Sequence, residues 1–418
     1  RYHPNFKRKI SRESFLQYSQ FGYLSAPNSI YENIFQIKPG HLIEFDLSMP
    51  LSNYEQEEWW SLLSIAKDSS KNKLTNQNEA IEKLEFVLVK VETDSGIIGW
   101  GESFGYVSWK SVKTSIEEMV APSIVGKEIN SKEDIDNLVY DVQKTLHIFG
   151  RYGITIYALS GIEIALWDAL GKEKKLPIYK LIDGGKKKEF KAYASLFRYS
   201  DKKLVEKKCQ ESLDKGFKII KLHEITNETI EAARKFIGKD IPLMTDVNCA
   251  WTYEEVVEKE KFLKNIGLFW LEEPIFPPED FKTLSKINND LKIPIAAGEN
   301  ACTHWEFDKM LESKAVNFAQ PSVIKVGGIS EMIKIFKLSE EKKTPIMPHT
   351  AYFGPGFLAS LHLASTSNME IFIERFWLDL AEEFYPGFKT AKNGVYNLPE
   401  GPGLGIDINE NLISKFKV

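Results

Sequence analysis

The chain has 418 residues and a formal net charge of −5, with 43% hydrophobic and 27% charged residues. This composition is typical of a soluble globular protein of two or three domains, and the acidic balance argues against a nucleic-acid surface. We see no apolar run of membrane-span length and no secretory signal pattern, so we expect no membrane partner. The three cysteines, Cys209, Cys249 and Cys302, form no Cys-x-x-Cys pair, and their odd number favours a reducing cytoplasm.

The first 85 residues differ in composition and residue pattern from the rest of the chain. Short aromatic and apolar blocks are separated by Pro and Gly turns, at Ala26-Pro27-Asn28 and Lys38-Pro39-Gly40. The stretch Lys67–Asn78 is rich in Ser, Lys and Asn, which is typical of a loop or linker. We therefore predict a separate segment over residues 1–85.

A small α+β domain is predicted over residues 86–189. Phe86–Thr93 is rich in β-branched residues, Asp94-Ser95-Gly96 is a turn signal, and Ile97–Glu102 is the returning strand of a hairpin. Three helical patterns follow the hairpin, over Trp109–Met119, Lys132–His147 and Ile154–Gly171.

From residue 190 to 418, short apolar runs alternate with helical patterns. We predict eight strands, over Lys191–Leu196, Lys218–Leu222, Pro242–Asp246, Leu268–Leu271, Ile293–Ala296, Val316–Ala319, Pro345–Met347 and Glu370–Ile373. Eight βα units favour a closed parallel barrel, with an open doubly wound sheet as the alternative. No Gly-x-Gly-x-x-Gly follows a strand, so a nucleotide-binding version of that open sheet has no support.

Polar residues stand at the ends of most of these strands, where the active site of a β/α barrel lies. The carboxylates Asp246, Glu272 and Glu299 are separated by about one βα unit each, which places them at a similar height. Any one alone would fit a solvated loop, but three together would repel one another without a cation. Because the ligands are all oxygen, with no Cys or clustered His, the pattern favours Mg²⁺ over Zn²⁺.

Seven motifs from residue 86 onward resemble the mandelate racemase subgroup of the enolase superfamily. They are Thr93-Asp94-Ser95-Gly96 with Gly99-Trp100-Gly101-Glu102, Lys221-Leu222-His223, Asp246-Val247-Asn248, Glu272-Glu273-Pro274, Gly298-Glu299-Asn300, Lys325-Val326-Gly327-Gly328 and Pro348-His349. The resemblance implies an α/β fold, a modified (β/α) barrel with an α+β capping domain. It also implies Mg²⁺ on the three carboxylates, a small carboxylate substrate whose α-proton is abstracted, and assembly into a homo-oligomer.

The same resemblance implies roles for the remaining strand-end residues. Lys221 and His223 would approach the substrate from one face, and His349 from the other. Glu374 would donate a hydrogen bond to the substrate carboxylate if its pKa is raised. Lys325 would contact the same carboxylate by its charge, and Asn248 would contact the substrate or orient a base. The expected substrate-binding residues are Asn248, Lys325 and Glu374.

Two positions depart from the family pattern. The family's lysine-x-lysine is Lys221-x-His223 here, and histidine already titrates near neutrality; the alternative is that His223 is only a hydrogen-bonding spacer. The aspartate that usually orients the seventh-strand histidine is Ser322, which cannot stabilise an imidazolium by charge. Both departures favour one-way elimination, the dehydration of a sugar acid or related hydroxy acid to a 2-keto acid. A racemase or epimerase on this scaffold and a catalytically silent chimera are the alternatives.

The segment 1–85 resembles the interdomain stretch of glutamine-dependent asparagine synthetases. The matching motifs are Ile10-Ser11-Arg12-Glu13, Phe21-Gly22-Tyr23 with Ala26-Pro27, Ser29-Ile30-Tyr31 and Lys38-Pro39-Gly40-His41. The sequence has neither an N-terminal cysteine nucleophile nor a Ser-Gly-Gly-x-Asp-Ser phosphate loop, so we expect no amidotransferase activity. The junction near Glu85-Phe86 would make this a foreign N-terminal segment that replaces the first strand of the capping domain and its lid loop.

Overall fold

The chain forms two units, residues 1–76 and 77–418, and the computed structural model describes residues 9–21, 24, 29–32, 41–42, 57–58, 84–388 and 390–417. In the first unit, helix α1 spans Arg12–Phe21, and strand β1, His41–Leu42, pairs antiparallel with β2, Glu57–Glu58. The predicted turns at 26–28 and 38–40 and the polar stretch at 67–78 lie outside the described residues. The resemblance of this segment to asparagine synthetases stays a prediction.

The predicted hairpin opens the described part of the second unit. Strand β3, Val87–Glu92, pairs antiparallel with β4, Ile98–Ser103, in full register. The hairpin lies directly on a long helix, and Gly101 makes that approach sterically feasible, because a Cβ there would stand 1.8 Å from the carbonyl oxygen of Gly161. The domain's helices are α2 at Trp109–Ser115, continued by a π-turn at Ile116–Val120, α3 at Lys132–Thr145 and α4 at Ile154–Lys174.

Helix α4 corrects one expectation, because its 21 residues are long and apolar enough to cross a membrane by length and composition. However, 89% of its apolar window is buried inside the protein. Its Glu163 accepts hydrogen bonds from the backbone N–H groups of Ile329 and Ser330, at 2.6 and 2.7 Å. A helix covered on all sides and bonded to its neighbours in this way is a core helix.

The second domain is a curled, mostly parallel sheet. Its parallel strands lie in the order β10-β9-β8-β7-β6-β5-β11, and β12 joins β5 antiparallel. Their bounds are β5 Glu189–Ser195, β6 Ile220–Leu222, β7 Leu243–Asp246, β8 Trp270–Glu272, β9 Ile295–Ala297, β10 Phe318–Ala319, β11 Ile373–Phe376 and β12 Val395–Asn397.

The seventh predicted strand, Pro345–Met347, is reduced to a single parallel bridge between Ile346 and Ala319. Ala319 donates its N–H to Pro345 O at 2.9 Å, and Met347 donates to Ala319 O at 2.8 Å. Proline at both 345 and 348 removes two backbone donors, which explains why the ladder does not extend. Six of the remaining predicted strands overlap observed strands by two residues or more, whereas the eighth, predicted at Glu370–Ile373, lies at Ile373–Phe376. Together with the capping domain the strands form the predicted modified (β/α) barrel.

Helices follow most strands of the barrel domain. Four of them begin at a side chain that accepts a backbone N–H of the first turn, an N-cap that satisfies one free donor; these caps are Asp201, Thr226, Thr252 and Asp280. The helices are α5 Ile178–Leu181, α6 Lys202–Asp214, α7 Asn227–Ile237, α8 Tyr253–Ile266, α9 Phe281–Asp290, α10 Thr303–Glu312, α11 Ile329–Lys342, α12 Pro355–Ala364 and α13 Glu410–Phe416.

Candidate active site

The interior of the barrel has an apolar floor, and the strand period of two places a polar layer above it. The floor consists of Tyr193, Ile219, Met244, Trp270, Ala296, Phe318, Met347 and Phe372. Side chains two residues apart on a strand face the same side. The layer above the floor therefore consists of Ser195, Lys221, Asp246, Glu272, Gly298, Gln320, His349 and Glu374.

The three predicted metal ligands converge in this region. One oxygen each of Asp246, Glu272 and Glu299 lies within 4.8 Å of the other two. Glu299 comes three residues after the floor residue Ala296, and the positive φ of +134° at Gly298 redirects the chain so that its carboxylate joins the other two. Oδ2 of Asp246 is buried and has no hydrogen-bond partner. A buried carboxylate oxygen without a partner is costly, so this donor set fits a hard divalent cation such as Mg²⁺.

Lys221 is fully buried among these carboxylates. Its Nζ lies 2.7 Å from Glu272 Oε1, 2.8 Å from Glu374 Oε1 and 3.7 Å from Asp246 Oδ2. Burial alone would lower the pKa of Lys221, but the negative charges of Glu272 and Glu374 outweigh it and raise that pKa well above its ordinary value. Lys221 is therefore an ammonium ion here, a cation that balances the acids and not a free base.

Glu374 accepts hydrogen bonds from Ser195 Oγ at 2.7 Å and from Thr350 N at 3.3 Å. Burial would raise the pKa of Glu374, but Lys221 and His349 outweigh burial and lower that pKa to about 2. The condition under which Glu374 would donate a hydrogen bond to a substrate carboxylate, a raised pKa, is not met in this arrangement. It is an ionised acceptor that anchors Lys221.

His223 lies at the end of β6 with its ring fixed at one nitrogen. Nδ1 is 2.6 Å from the carbonyl oxygen of Leu196, and since a carbonyl only accepts, the ring proton is on Nδ1. Nε2 therefore carries the lone pair and stands 3.5 Å from Asp246 Oδ2. Burial and the charge of Lys221 lower the pKa of His223 to about 4, so the ring is neutral at neutral pH.

His349 lies beside the triad, the three carboxylates Asp246, Glu272 and Glu299, on the side of Glu299. Its Nε2 is 3.2 Å from Glu299 Oε2, and its Nδ1 is buried without a hydrogen-bond partner. Within the described residues no carboxylate orients Nδ1, and Ser322 is fully buried. His223 and His349 thus flank the triad, one beside Asp246 and one beside Glu299.

The two other predicted substrate contacts lie at the barrel mouth. Asn248 accepts a hydrogen bond at Oδ1 from Arg198 at 3.0 Å. Lys325 donates to Asn300 Oδ1 at 3.2 Å, and its Nζ stands 4.7 Å from the ring centre of Phe104 in the capping domain. The capping domain therefore helps to hold a cation that belongs to the barrel.

Three residues around the site were not identified from the sequence. Ser195 and Gln320 stand two positions after floor residues, and counting from the floor on each strand would have found them. Gln320 is buried, and neither its Oε1 nor its Nε2 has a hydrogen-bond partner. Arg198 follows β5, and no periodicity marks it.

The capping domain and the carboxylates at the ends of successive strands place this chain among the (β/α)-barrel enzymes. The chain belongs to the enolase superfamily. Residues 204–412 match the model described as enolase C-terminal domain-like, and residues 68–183 match the N-terminal domain of mandelate racemase and muconate lactonizing enzyme. The second match begins inside the predicted segment 1–85; the boundary near residue 85 stays a prediction.

Two relatives show the chemistry found among similar sequences. The chain is 34% identical over 347 residues to the arabinonate dehydratase of Saccharolobus solfataricus, covering 80% of this chain and 91% of that protein. It is 28% identical to the D-galactarolactone cycloisomerase of Agrobacterium fabrum, covering 79% of this chain and 91% of that protein.

A solved structure confirms the fold. The 3,6-anhydro-D-galactonate cycloisomerase from Zobellia galactanivorans superposes with a TM-score of 0.73 at 28% identity, covering 80% of this chain and 94% of that chain. The fold of this chain thus agrees with the family to which its sequence belongs. The chain is similar to sugar-acid dehydratases and to cycloisomerases, enzymes of the lyase and isomerase type.

Proposed function

We propose that this protein is a Mg²⁺-dependent dehydratase that converts a sugar acid or a related hydroxy acid to a 2-keto acid. The observation that carries the proposal is the convergence of Asp246, Glu272 and Glu299, with the unpartnered Asp246 oxygen, between two histidines. The name of the similar arabinonate dehydratase supports the same substrate class. Homo-oligomeric assembly, a cytoplasmic location and the absence of a nucleic-acid partner stay predictions.

The three carboxylates would hold the ion. An α-proton of a carboxylate is very weakly acidic, and Mg²⁺ bound there supplies charge stabilisation for the substrate carboxylate. Lys221 neutralises Glu272 and Glu374 below the substrate. Asn248 and Lys325, at the mouth, would contact and orient the acid.

The histidines divide the proton transfers. His223 accepts the α-proton at Nε2, because its Nδ1 proton is committed to Leu196 O. The bond between the β-carbon and its hydroxyl oxygen breaks, and the hydroxyl leaves as water with a proton from His349 Nε2. The enol left behind takes a proton at the former β-carbon and becomes the 2-keto acid. No oxidant is required.

The test is turnover of a library of aldonic and aldaric acids in D₂O with Mg²⁺ and the full chain. We expect release of a 2-keto acid that carries deuterium at the carbon next to the keto group. Deuterium at the α-carbon of recovered acid, with no keto acid, would instead identify a racemase or epimerase. No product and no exchange with any acid would contradict the proposal in favour of a silent chimera.

A further inference from the structure

Arg198 connects the loops that follow three neighbouring strands, β5, β6 and β7. Its Nε donates to the carbonyl oxygen of His223 at 2.6 Å, and its Nη2 donates to Asn248 Oδ1 at 3.0 Å. The ring of His223 donates in the opposite direction, to Leu196 O at 2.6 Å. One side chain therefore touches both the segment that carries the proposed base and a proposed substrate contact.

Glu224 holds the same loops together through hydrogen bonds. Its carboxylate accepts from the N–H of Tyr199 at 2.6 Å and of Ser200 at 3.2 Å, and its carbonyl accepts from Thr245 Oγ1 at 2.9 Å. Glu224 is buried, with 1% of its surface exposed. The segment that carries Arg198 is thus held in place independently of Asn248, so the backbone from which the Arg198 side chain extends is fixed.

The chemistry of a guanidinium decides the orientation of the Asn248 amide. Arginine only donates, so the Asn248 atom that it contacts must be the carbonyl oxygen. The backbone N–H of Asn248 donates to Asp246 Oδ1 at 2.7 Å, which pins the residue beside a proposed metal ligand. With Oδ1 committed to Arg198, Asn248 has its Nδ2 left to offer, and Nδ2 is a donor.

We propose that Arg198 is a positioning residue: it orients Asn248 as a hydrogen-bond donor to an oxygen of the substrate and fixes the His223 segment. The inference rests on the proposed function, since it assigns a role within that site. It also limits the ligand, because a donor at position 248 selects a hydroxyl or carboxylate oxygen on the substrate.

Arg234 provides a matched control. It also donates to backbone carbonyls, those of Ile266, Gly238 and Ile241, at 2.7–2.9 Å. It lies at the end of α7 that leads into β7, opposite the strand ends that form the site. Arg234→Met removes comparable hydrogen bonds without touching the site.

The experiment is a double-mutant cycle in the Mg²⁺-loaded full chain with the best acid from the library. Residues that orient active-site groups typically contribute about 10–100-fold, so Arg198→Met and Asn248→Ala should each lower kcat/KM by about that factor. The loss in the double variant should be smaller than the product of the two single losses, since Arg198 acts in part through Asn248. Arg198→Lys should fall between wild type and Arg198→Met, and Arg234→Met should keep wild-type kinetics.

Two results would overturn the inference: single losses that multiply in the double variant, or Arg198→Met activity within about twofold of wild type. If no acid is turned over, the proposed function fails separately, and the ¹⁵N NMR signature of the His223 ring then decides. We expect a single Nδ1–H tautomer in the Mg²⁺-loaded wild type and a mixture in Arg198→Met. An unchanged signature would overturn the positioning role.

Discussion

At the scale of single residues, the site is a balance of charges. Four acids, Asp246, Glu272, Glu299 and Glu374, lie close together, and the buried ammonium of Lys221 is within hydrogen-bond range of two of them, Glu272 and Glu374. Burial and the neighbouring Glu272 raise the pKa of Asp246 well above its ordinary value, which marks an excess of negative charge. A divalent cation between the acids would relieve that excess and would be bound by the Asp246 oxygen that has no hydrogen-bond partner.

Separate roles for the two histidines predict different defects. His223→Asn should lower both deuterium exchange and keto-acid release, with kcat/KM reduced by about 10²–10⁴-fold, because His223 is the residue assigned to accept the α-proton. His349→Asn should keep exchange at the α-carbon while release of keto acid falls by a similar factor. The measurement is ¹H NMR of recovered acid and product in D₂O.

His147→Asn is the control, since that ring is exposed and is hydrogen-bonded to the carbonyl oxygen of Lys144 at 2.7 Å. The assignment would be reversed if His349→Asn lost exchange while His223→Asn kept it.

At the scale of helices and strands, a buried acid joins the capping domain to the barrel. Glu331 of α11 accepts from Gln143 of α3 at 3.1 Å and from His304 of α10, through Nδ1 at 2.7 Å and the backbone N–H at 2.9 Å. Burial would raise the pKa of Glu331, but the bonds from His304 and the charge of Lys334 outweigh it and lower that pKa to about 2.

The lowered pKa of Glu331 gives a pH-dependent stability. Its contribution is fully present above the unfolded value near 4.5 and is lost as the pH falls toward about 2. Glu331→Gln should cost about 1.5–3 kcal/mol at pH 7, the range for hydrogen bonds to a charged group. The measurement is urea unfolding of both proteins from pH 7 down to pH 3, with the difference shrinking below about pH 4.5.

Glu340→Gln is the matched control on the exposed face of α11. An equal loss at pH 7 in both variants, or a difference that grows in acid, would contradict the role of Glu331.

The strand period explains which parts of the site a sequence can predict. Asp246, Glu272, His349 and Glu374 stand two residues after apolar floor residues, so strand ends and spacing were sufficient to find them. Glu299 was found because it follows the fifth strand, although the turn at Gly298 that places it is a backbone property. The protonation states of Lys221 and Glu374 were not predictable from the sequence, since they depend on distances across the barrel that only the folded structure defines.

At the scale of the whole molecule, the described contacts of the site all lie in the second unit. Each proposed ligand, histidine and substrate contact belongs to residues 84–417, as do their hydrogen-bond partners among the described residues. The match to the family's N-terminal domain begins at residue 68, close to the division between the two units.

Removal of residues 1–76 should therefore leave Mg²⁺ affinity within about twofold of the full chain, because no described bond to the triad is lost. The measurement is calorimetric titration of both proteins. A large loss of affinity, with the shortened protein still folded by circular dichroism, would show that the first unit supports the site.

The central claim is that Asp246, Glu272 and Glu299 together bind Mg²⁺. Its most direct test is the Mg²⁺ affinity of Glu299→Gln, which keeps the size of the side chain and removes its charge. The control is Glu279→Gln, the same change at an exposed residue outside the triad. We expect Glu299→Gln to weaken Mg²⁺ binding by at least about tenfold, since a ligand should matter no less than the groups that orient it. Wild-type affinity in Glu299→Gln would contradict the account.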